Sequence, residues 1–359
     1  WIEIDRGRLV QPYAWTVPNT PSTQCLWRIE VFTPTTNPVN LRLEDASRPA
    51  SIPHMSIDLT RDGRLAIVAD EDGHIMLFDA VTGALLRSQR IQRQVTPAAR
   101  VVRAVFSSDE TWIAALTEED SVVIARVPDL TIDTVWYTGI PRRVALEDRW
   151  IATQPGGDHV AVSSFTRSRT FTNQGVVVAD ISILNTSSNT CVDWTPDGAS
   201  VVASSGAQGH VLVREQPQSV TRTFPTPSFS GFVSPDGRYL VSQAKNTQAF
   251  MVRDITTGDT LCDVPGLSFM GFGVRWYPDN TVARITGVGT LERYTVNGAL
   301  IDTVLRQPFG FNDFCFDSTG LVIGGAAGGF SFVVRSGNAA VRTFDVSDGR
   351  WEIRPPVIF

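Results

Sequence analysis

Lysine is almost missing from this chain. Of 31 basic residues a single one, Lys245, is lysine. The shortage fits a GC-rich coding composition; the sharper alternative is a surface selected for guanidinium pairing or against lysine chemistry. Cysteine is scarce too. Cys25, Cys191, Cys262 and Cys315 show no CxxC spacing and no nearby His pair, which argues against a zinc ribbon or haem attachment. Free buried thiols are expected, with one disulfide left open. Four histidines are scattered as His54, His74, His159 and His210. No GxSxG or other local nucleophile motif occurs, so no catalytic residue, cofactor or metal is assigned. No apolar run approaches the length of a membrane span. The net charge of −6, without clustered basic residues, speaks against a nucleic-acid binder driven by bulk charge. The chain begins at Trp1 rather than Met and carries one glycosylation triplet, Asn185-Thr186-Ser187. A processed or secreted chain is the localisation that this favours.

What is present is turn chemistry and short apolar strands. Asp72-Gly73 suits a turn, because Gly accepts positive φ and Asp bonds its own backbone. Ile75, Leu77 and Asp79 then alternate with His74, Met76 and Phe78. This is period 2 with both faces largely apolar, as in a strand sandwiched between two sheets. Thr82-Gly83 makes the next turn and Ala84-Leu85-Leu86-Arg87 the next strand. Ser56–Leu59 and Leu65–Val68 flank the turn Arg61-Asp62-Gly63-Arg64. Residues 56–91 thus predict four short strands in a row.

The unit returns. Pro196-Asp197-Gly198, Pro235-Asp236-Gly237-Arg238 and Pro278-Asp279-Asn280 repeat the turn between apolar strands, with weaker copies at Asp109, Gly157 and Thr319. Turn positions 62, 109, 157, 197, 236, 279 and 319 are separated by 47, 48, 40, 39, 43 and 40 residues. That is the spacing of four-stranded blades, whose faces are buried by radial stacking. Carboxylates that recur in every repeat, such as Asp62, Asp197, Asp236 and Asp279, read as turn formers. The "PDG" turns, and apolar strands that end in Phe78-Asp79 or Arg253-Asp254 and run into Thr-Gly, resemble WD40-type β-propellers over roughly residues 50–350. The resemblance implies an all-β single propeller. No Gly-His pair opens a blade and no blade ends in Trp-Asp, so the hydrogen-bond relay of orthodox WD40 blades does not carry over. The Asp-x-x-Thr-Gly runs also resemble quinoprotein propellers, but Leu85-Leu86 and Leu261-Cys262 stand where those carry Trp.

The whole of 1–359 is read as one propeller domain. Eight blades are expected, seven internal and one composite closing blade built from 1–50 and 348–359; seven blades with an N-terminal cap is the alternative. Ser163–Gly175 reads as the longest loop between second and third strands. Its Arg167, Arg169, Phe171 and Asn173, with Arg142 and Arg143 in the connector before that blade, are the candidate partner-binding residues, since Arg and aromatic residues are enriched where proteins meet. The glycine run Gly324–Gly329 reads as a turn between strands two and three, with no Lys-Ser/Thr after it to suggest a phosphate loop. His74 and His210 hold equivalent places three blades apart. Asp58, Asp193 and Asp313 fall on innermost strands, where three carboxylates around a ring would suit Ca²⁺; isolated channel polar residues are preferred. Two functions follow. One is a non-enzymatic scaffold or structural subunit, with other protein subunits or further copies of itself as partners. The alternative is a lactonase-like or quinoprotein-like enzyme, or a small-molecule or metal binder, with its site at the central channel.

Overall fold

A computed structural model describes residues 39–335, apart from 49–51, 92–99, 141–148, 165–166, 182–188, 206–208, 245–248, 267–272, 287–288, 307–312 and 328–329. The chain first lays down β1 (Val39–Leu43). A four-stranded sheet follows: β2 (His54–Leu59), β3 (Leu65–Asp70), β4 (His74–Asp79) and β5 (Leu85–Arg90). The second sheet is β6 (Val101–Phe106), β7 (Trp112–Thr117), β8 (Ser121–Arg126) and β9 (Ile132–Tyr137). The third is β10 (Trp150–Thr153), β11 (His159–Ser164), β12 (Arg167–Thr172) and β13 (Val177–Asp180). The fourth is β14 (Asn189–Trp194), β15 (Ser200–Ser205), β16 (Gly209–Arg214) and β17 (Ser219–Phe224). The fifth is β18 (Ser228–Val233), β19 (Tyr239–Ala244), β20 (Phe250–Asp254) and β21 (Thr260–Val264). The sixth is β22 (Val274–Trp276), β23 (Val282–Ile285), β24 (Thr290–Tyr294) and β25 (Leu300–Arg306). The last run is β26 (Asp313–Phe316), β27 (Val322–Ala327) and β28 (Phe330–Arg335).

Strand order in the first six sheets is sequence order, and every pairing is antiparallel. First strands pack against the first and second strands of neighbouring sheets. Fourth strands are the exposed ones. The sheets are therefore blades around a ring, with their first strands innermost. β4 shows why its sequence alternates on two apolar faces. Ile75 and Leu77 pack with the second blade, among Ala104 and Ile113. Met76 and Phe78 pack with the seventh, among Val322 and Val333. Each gap between blades is filled in this way, so the core is a set of radial slabs.

The structure shows seven blades, which corrects the expectation of eight. The seven turns counted in the sequence are the seven turns between first and second strands. The seventh repeat runs out after three strands, and β1 fills its outer edge, with Val39 opposite Arg335 and Leu43 opposite Ser331. No strand is left among the described residues for an eighth sheet. The closing blade expected from 1–50 and 348–359 is corrected to this extent: β1 belongs to the seventh sheet, while residues 1–38 and 348–359 lie outside the described residues.

Two local readings change. Ser163–Gly175 is not an extended loop, because Arg167–Thr172 forms β12, paired from His159↔Thr172 to Ser164↔Arg167. Gly324 and Gly325 lie inside β27 rather than in a turn. A Cβ on Gly325 would stand 2.3 Å from Cζ of Phe332; the missing side chain is the space that the ring occupies.

Candidate functional site: the channel plug and its collar

The inner turns share one construction. Thr60 Oγ1 donates to Asp62 Oδ1 at 2.8 Å and Arg64 N donates to the same oxygen at 3.0 Å. Ser107 with Asp109, Thr195 with Asp197 and Ser234 with Asp236 repeat it; at Asp279 the hydroxyl and the amide both come from Thr281, two residues on. The turn-former reading of these Asp residues is what the structure shows. These hydrogen bonds hold Asp62, Asp109, Asp197 and Asp279 below the usual carboxylate range, against a desolvation that is the largest influence on Asp62 and Asp279.

Neighbouring turns also touch all the way round. Ser318 N donates to Arg61 O at 2.9 Å, Arg61 N to Glu110 Oε1, Gly156 N to Ser108 Oγ, and Gln154 Nε2 to Gly198 O at 2.7 Å. Asp236 N donates to Asn280 Oδ1 at 3.1 Å. At the two remaining junctions the turns lie close, since a Cβ on Gly237 would stand 3.5 Å from Pro196 and one on Gly320 3.1 Å from Tyr277. The seven turns form a collar at one mouth of the ring.

Inner strands of adjacent blades are stitched above the collar by side chains that reach the next backbone. Asp58 Oδ2 accepts from Phe106 N at 2.9 Å, and Asp193 Oδ2 accepts from Val233 N at 2.9 Å. Trp276 Nε1 donates to Phe232 O at 2.7 Å, and Thr153 Oγ1 to Phe106 O at 2.7 Å.

At the centre, side chains from five blades converge. Asp313 on β26 accepts from Arg103 of β6 at 2.8 Å through Oδ2 and from Arg275 of β22 at 2.9 Å through Oδ1. Both guanidinium side chains are only 11% exposed, and that of Asp313 is 2%. The Arg103 guanidinium carbon lies 3.6 Å from the Trp150 ring centroid. That of Arg275 lies 4.0 Å from Phe232 and 4.7 Å from Trp150. Trp150 and Phe232 themselves stand 5.5 Å apart. Guanidinium suits this place because it is weakly hydrated, stacks on rings and pairs through a planar fork.

Asp58 and Asp193 lie at the edge of this plug. Burial pushes each carboxyl up to about 6, against backbone hydrogen bonds and the charge of Arg103, joined at Asp193 by that of Arg275, which pull it down. Burial drives the Cys191 thiol up to about 12 and Cys315 well above its ordinary value, so both stay neutral. Cys191, Cys262 and Cys315 are unpaired thiols; Cys25 lies outside the described residues.

The sequence candidates end up in separate places. Asp58 and Asp193 bond backbone amides of different blades, and Asp313 is held by two arginines. Among the described residues no group of three His, Cys, Asp or Glu is placed to hold a metal. His74 sits beside Asp70 and Asp72, at 3.9 and 3.7 Å. His210 is buried against Ser204 Oγ at 2.9 Å, with burial lowering it to about 3. The two histidines do not meet.

In the third blade, Phe171 is buried and packs at a tilt against Trp136, with centroids 4.5 Å apart. Arg169 binds Asp180 through Nε and Nη2, both at 3.1 Å. Arg167 is 43% exposed, 3.6 Å from Asp180. The Asn173 carbonyl accepts from Trp136 Nε1 at 3.3 Å. Arg142 and Arg143 lie outside the described residues.

Arg103 and Arg275 were missed in the sequence, because each is a lone polar residue in an otherwise apolar inner strand. Their one legible signal was the near-absence of lysine. Buried pairs elsewhere use arginine too: Arg48 with Asp70, Arg149 with Asp120 and Arg284 with Glu292.

Among the described residues no helix is long and apolar enough to cross a membrane. No family model matches the chain, and no curated protein matches it. The fold is a seven-bladed β-propeller of small four-stranded antiparallel blades, consistent with a WD40-like repeat protein.

Proposed function

We infer that this propeller is a non-enzymatic scaffold that binds other protein subunits through its faces and rim. One observation carries the reading. The carboxylates of the inner strands are engaged within the ring: both oxygens of Asp313 are on arginines, and Asp58 and Asp193 each give one oxygen to a neighbouring amide. A site for substrate at a channel needs convergent polar groups that are free to act. Free surface lies instead at the outer strands, where Val135, Tyr137 and Val177, with Val176 just before β13, are half or more exposed. Arg167, the first residue of β12, and Asn173, just past its end, are the proposed contact points in the third blade, with Arg142 and Arg143 in the preceding connector. Phe171 and Arg169 support that edge from beneath, through Trp136 and Asp180.

Native mass spectrometry of the protein taken from its own source tests the reading. A defined complex, or a repeated self-assembly that Arg167→Glu weakens, is the expected result. A lone monomer that carries a small adduct or an ion would favour the enzyme or small-molecule reading.

A further inference from the structure

The slab between the fourth and fifth blades is not apolar throughout. Leu240 and Ile255 of the fifth blade pack there with Val202, Leu212 and Phe224 of the fourth. One row along, the same faces are polar. Ser242 lies two residues after Leu240 in β19, so it faces the fourth blade as well. Its register partners are Gly231 on β18 and Met251 on β20. His210 reaches this row from β16: a Cβ on Gly231 would stand 2.6 Å from the imidazole Cε1. Directly opposite residues of a pair have Cβ positions about 4.5–5.5 Å apart, which sets Ser242 beside that ring. Arg253, two residues after Met251, bounds the row on its other side. Its Nη2 lies 3.8 Å from Met251 Sδ and donates to Thr226 Oγ1. Thr226 in turn lies against Gly209, the neighbour of His210, where a Cβ would stand 2.7 Å from the Thr226 carbonyl oxygen.

Three polar atoms in this row are buried and have no protein partner: Arg253 Nη1, His210 Nε2 and Ser242 Oγ. His210 Nδ1 is 2.9 Å from Ser204 Oγ. With that hydroxyl donating, the neutral imidazole carries its proton on Nε2. Arg253 is 6% exposed. Arg149 and Arg284, the other two arginines buried to this degree among the described residues, each face a carboxylate, Asp120 at 3.6 Å and Glu292 at 2.7 Å. Arg253 bonds only two hydroxyls and a thioether. The acid that acts on it from a distance, Asp263, is exposed on β21. A buried cation is costly to fold around unless it is paired.

We propose that this row is an anion site: a halide-sized anion binds between the fourth and fifth blades on Arg253 Nη1, with His210 Nε2 and Ser242 Oγ as its neutral donors. The donor set selects the sign, since a guanidinium and two neutral donors converge with no carboxylate among them. The packing favours a monatomic anion over an oxyanion, because the imidazole already fills the space that Gly231 leaves. The bound anion ties β16 to β20 across the gap between blades. This inference is independent of the scaffold reading, since the site lies inside the wall of the ring.

The test is thermal unfolding of the full chain in rising sodium chloride, for the wild type and for Arg253→Met, which keeps the bulk and removes the charge. An anion that binds the folded state alone should raise the wild-type melting temperature by about 2–4 °C for each tenfold rise in chloride above its dissociation constant. Arg253→Met should lose that dependence, and the comparison cancels general salt effects on burial. A wild type that does not respond to chloride, or an equal response in both proteins, would overturn the proposal. If Arg253→Met does not fold, crystals of the wild type grown in sodium bromide decide. An anomalous bromide peak within hydrogen-bond reach of Arg253 Nη1 supports the site, and a water in that place refutes it.

Discussion

The inner ring and the outer rim of this propeller are built from strands of similar length but opposite character. Inner strands lie against both neighbouring blades and bury Cys191, Trp194, Val274 and Phe314. Their polar residues reach across to the next backbone or into the plug. Outer strands such as β5, β9 and β17 are mostly exposed, and each touches chiefly the third strand of its own blade. Stability is therefore expected to be concentrated at the centre, while the rim is left free to vary. An apolar residue on the rim, such as Tyr137, contributes surface for contact; a polar residue at the centre, such as Asp313, contributes connections among blades.

The sharpest break of that contrast is at Asp313. Asp313→Ala leaves Arg103 and Arg275 buried without their counter-ion, and should cost roughly 3–5 kcal/mol in denaturant unfolding. Restoring an apolar centre with Arg103→Met, Arg275→Met and Asp313→Leu together should recover most of it. A loss below about 1 kcal/mol for Asp313→Ala would show that solvent reaches the plug.

Next comes the third blade, where rim and core meet in one strand. Phe171→Ala should cost about 3–5 kcal/mol, because it opens a cavity against Trp136. Arg167→Ala, four residues earlier in the same strand, should stay within about 0.5 kcal/mol by the same measurement. Equal small effects would return this segment to a loop.

A smaller effect is expected at the stitching between blades. Trp276→Phe keeps the aromatic bulk but removes the donor to the Phe232 carbonyl, and about 1–3 kcal/mol should be lost. Hydrogen exchange should rise first in β18 and β22 if the bond joins those blades. The smallest effect is at the rim itself: Val177→Thr should change the unfolding free energy by no more than about 0.5 kcal/mol. A large loss there would mean that the edge is covered in the folded protein.

The third blade also shows where reading a sequence stops. β12 is Arg-Ser-Arg-Thr-Phe-Thr, which has too little apolar content to read as a sandwiched strand. Yet Ser168 and Thr170 are fully buried, and Ser168 bonds Ser163 across the pair at 3.0 Å. Backbone pairing with β11 and β13, rather than side-chain hydrophobicity, makes it a strand. The bulges between third and fourth strands, as at Leu77/Phe78, Ile124/Ala125 and Val252/Arg253, were invisible for the same reason. They add twist at each rim, and no residue type announces them.

By itself the sequence determined the repeat. Turn residues with positive φ or self-bonding side chains recur at each blade, as at Gly63 and Gly83, with φ of 65° and 79°. Alternating apolar strands between them can be satisfied only by sheets stacked on both sides. These are local rules, readable from neighbours in the chain. The tertiary structure alone decided how many blades close the ring, because β1 and β28 are distant in sequence and meet only once the circle is complete. It alone decided the plug as well. Arg103, Trp150 and Asp313 stand four residues, and Phe232 and Arg275 two, before the first residue of their turns, but that these side chains meet is fixed by the radius at which seven twisted sheets pack face to face.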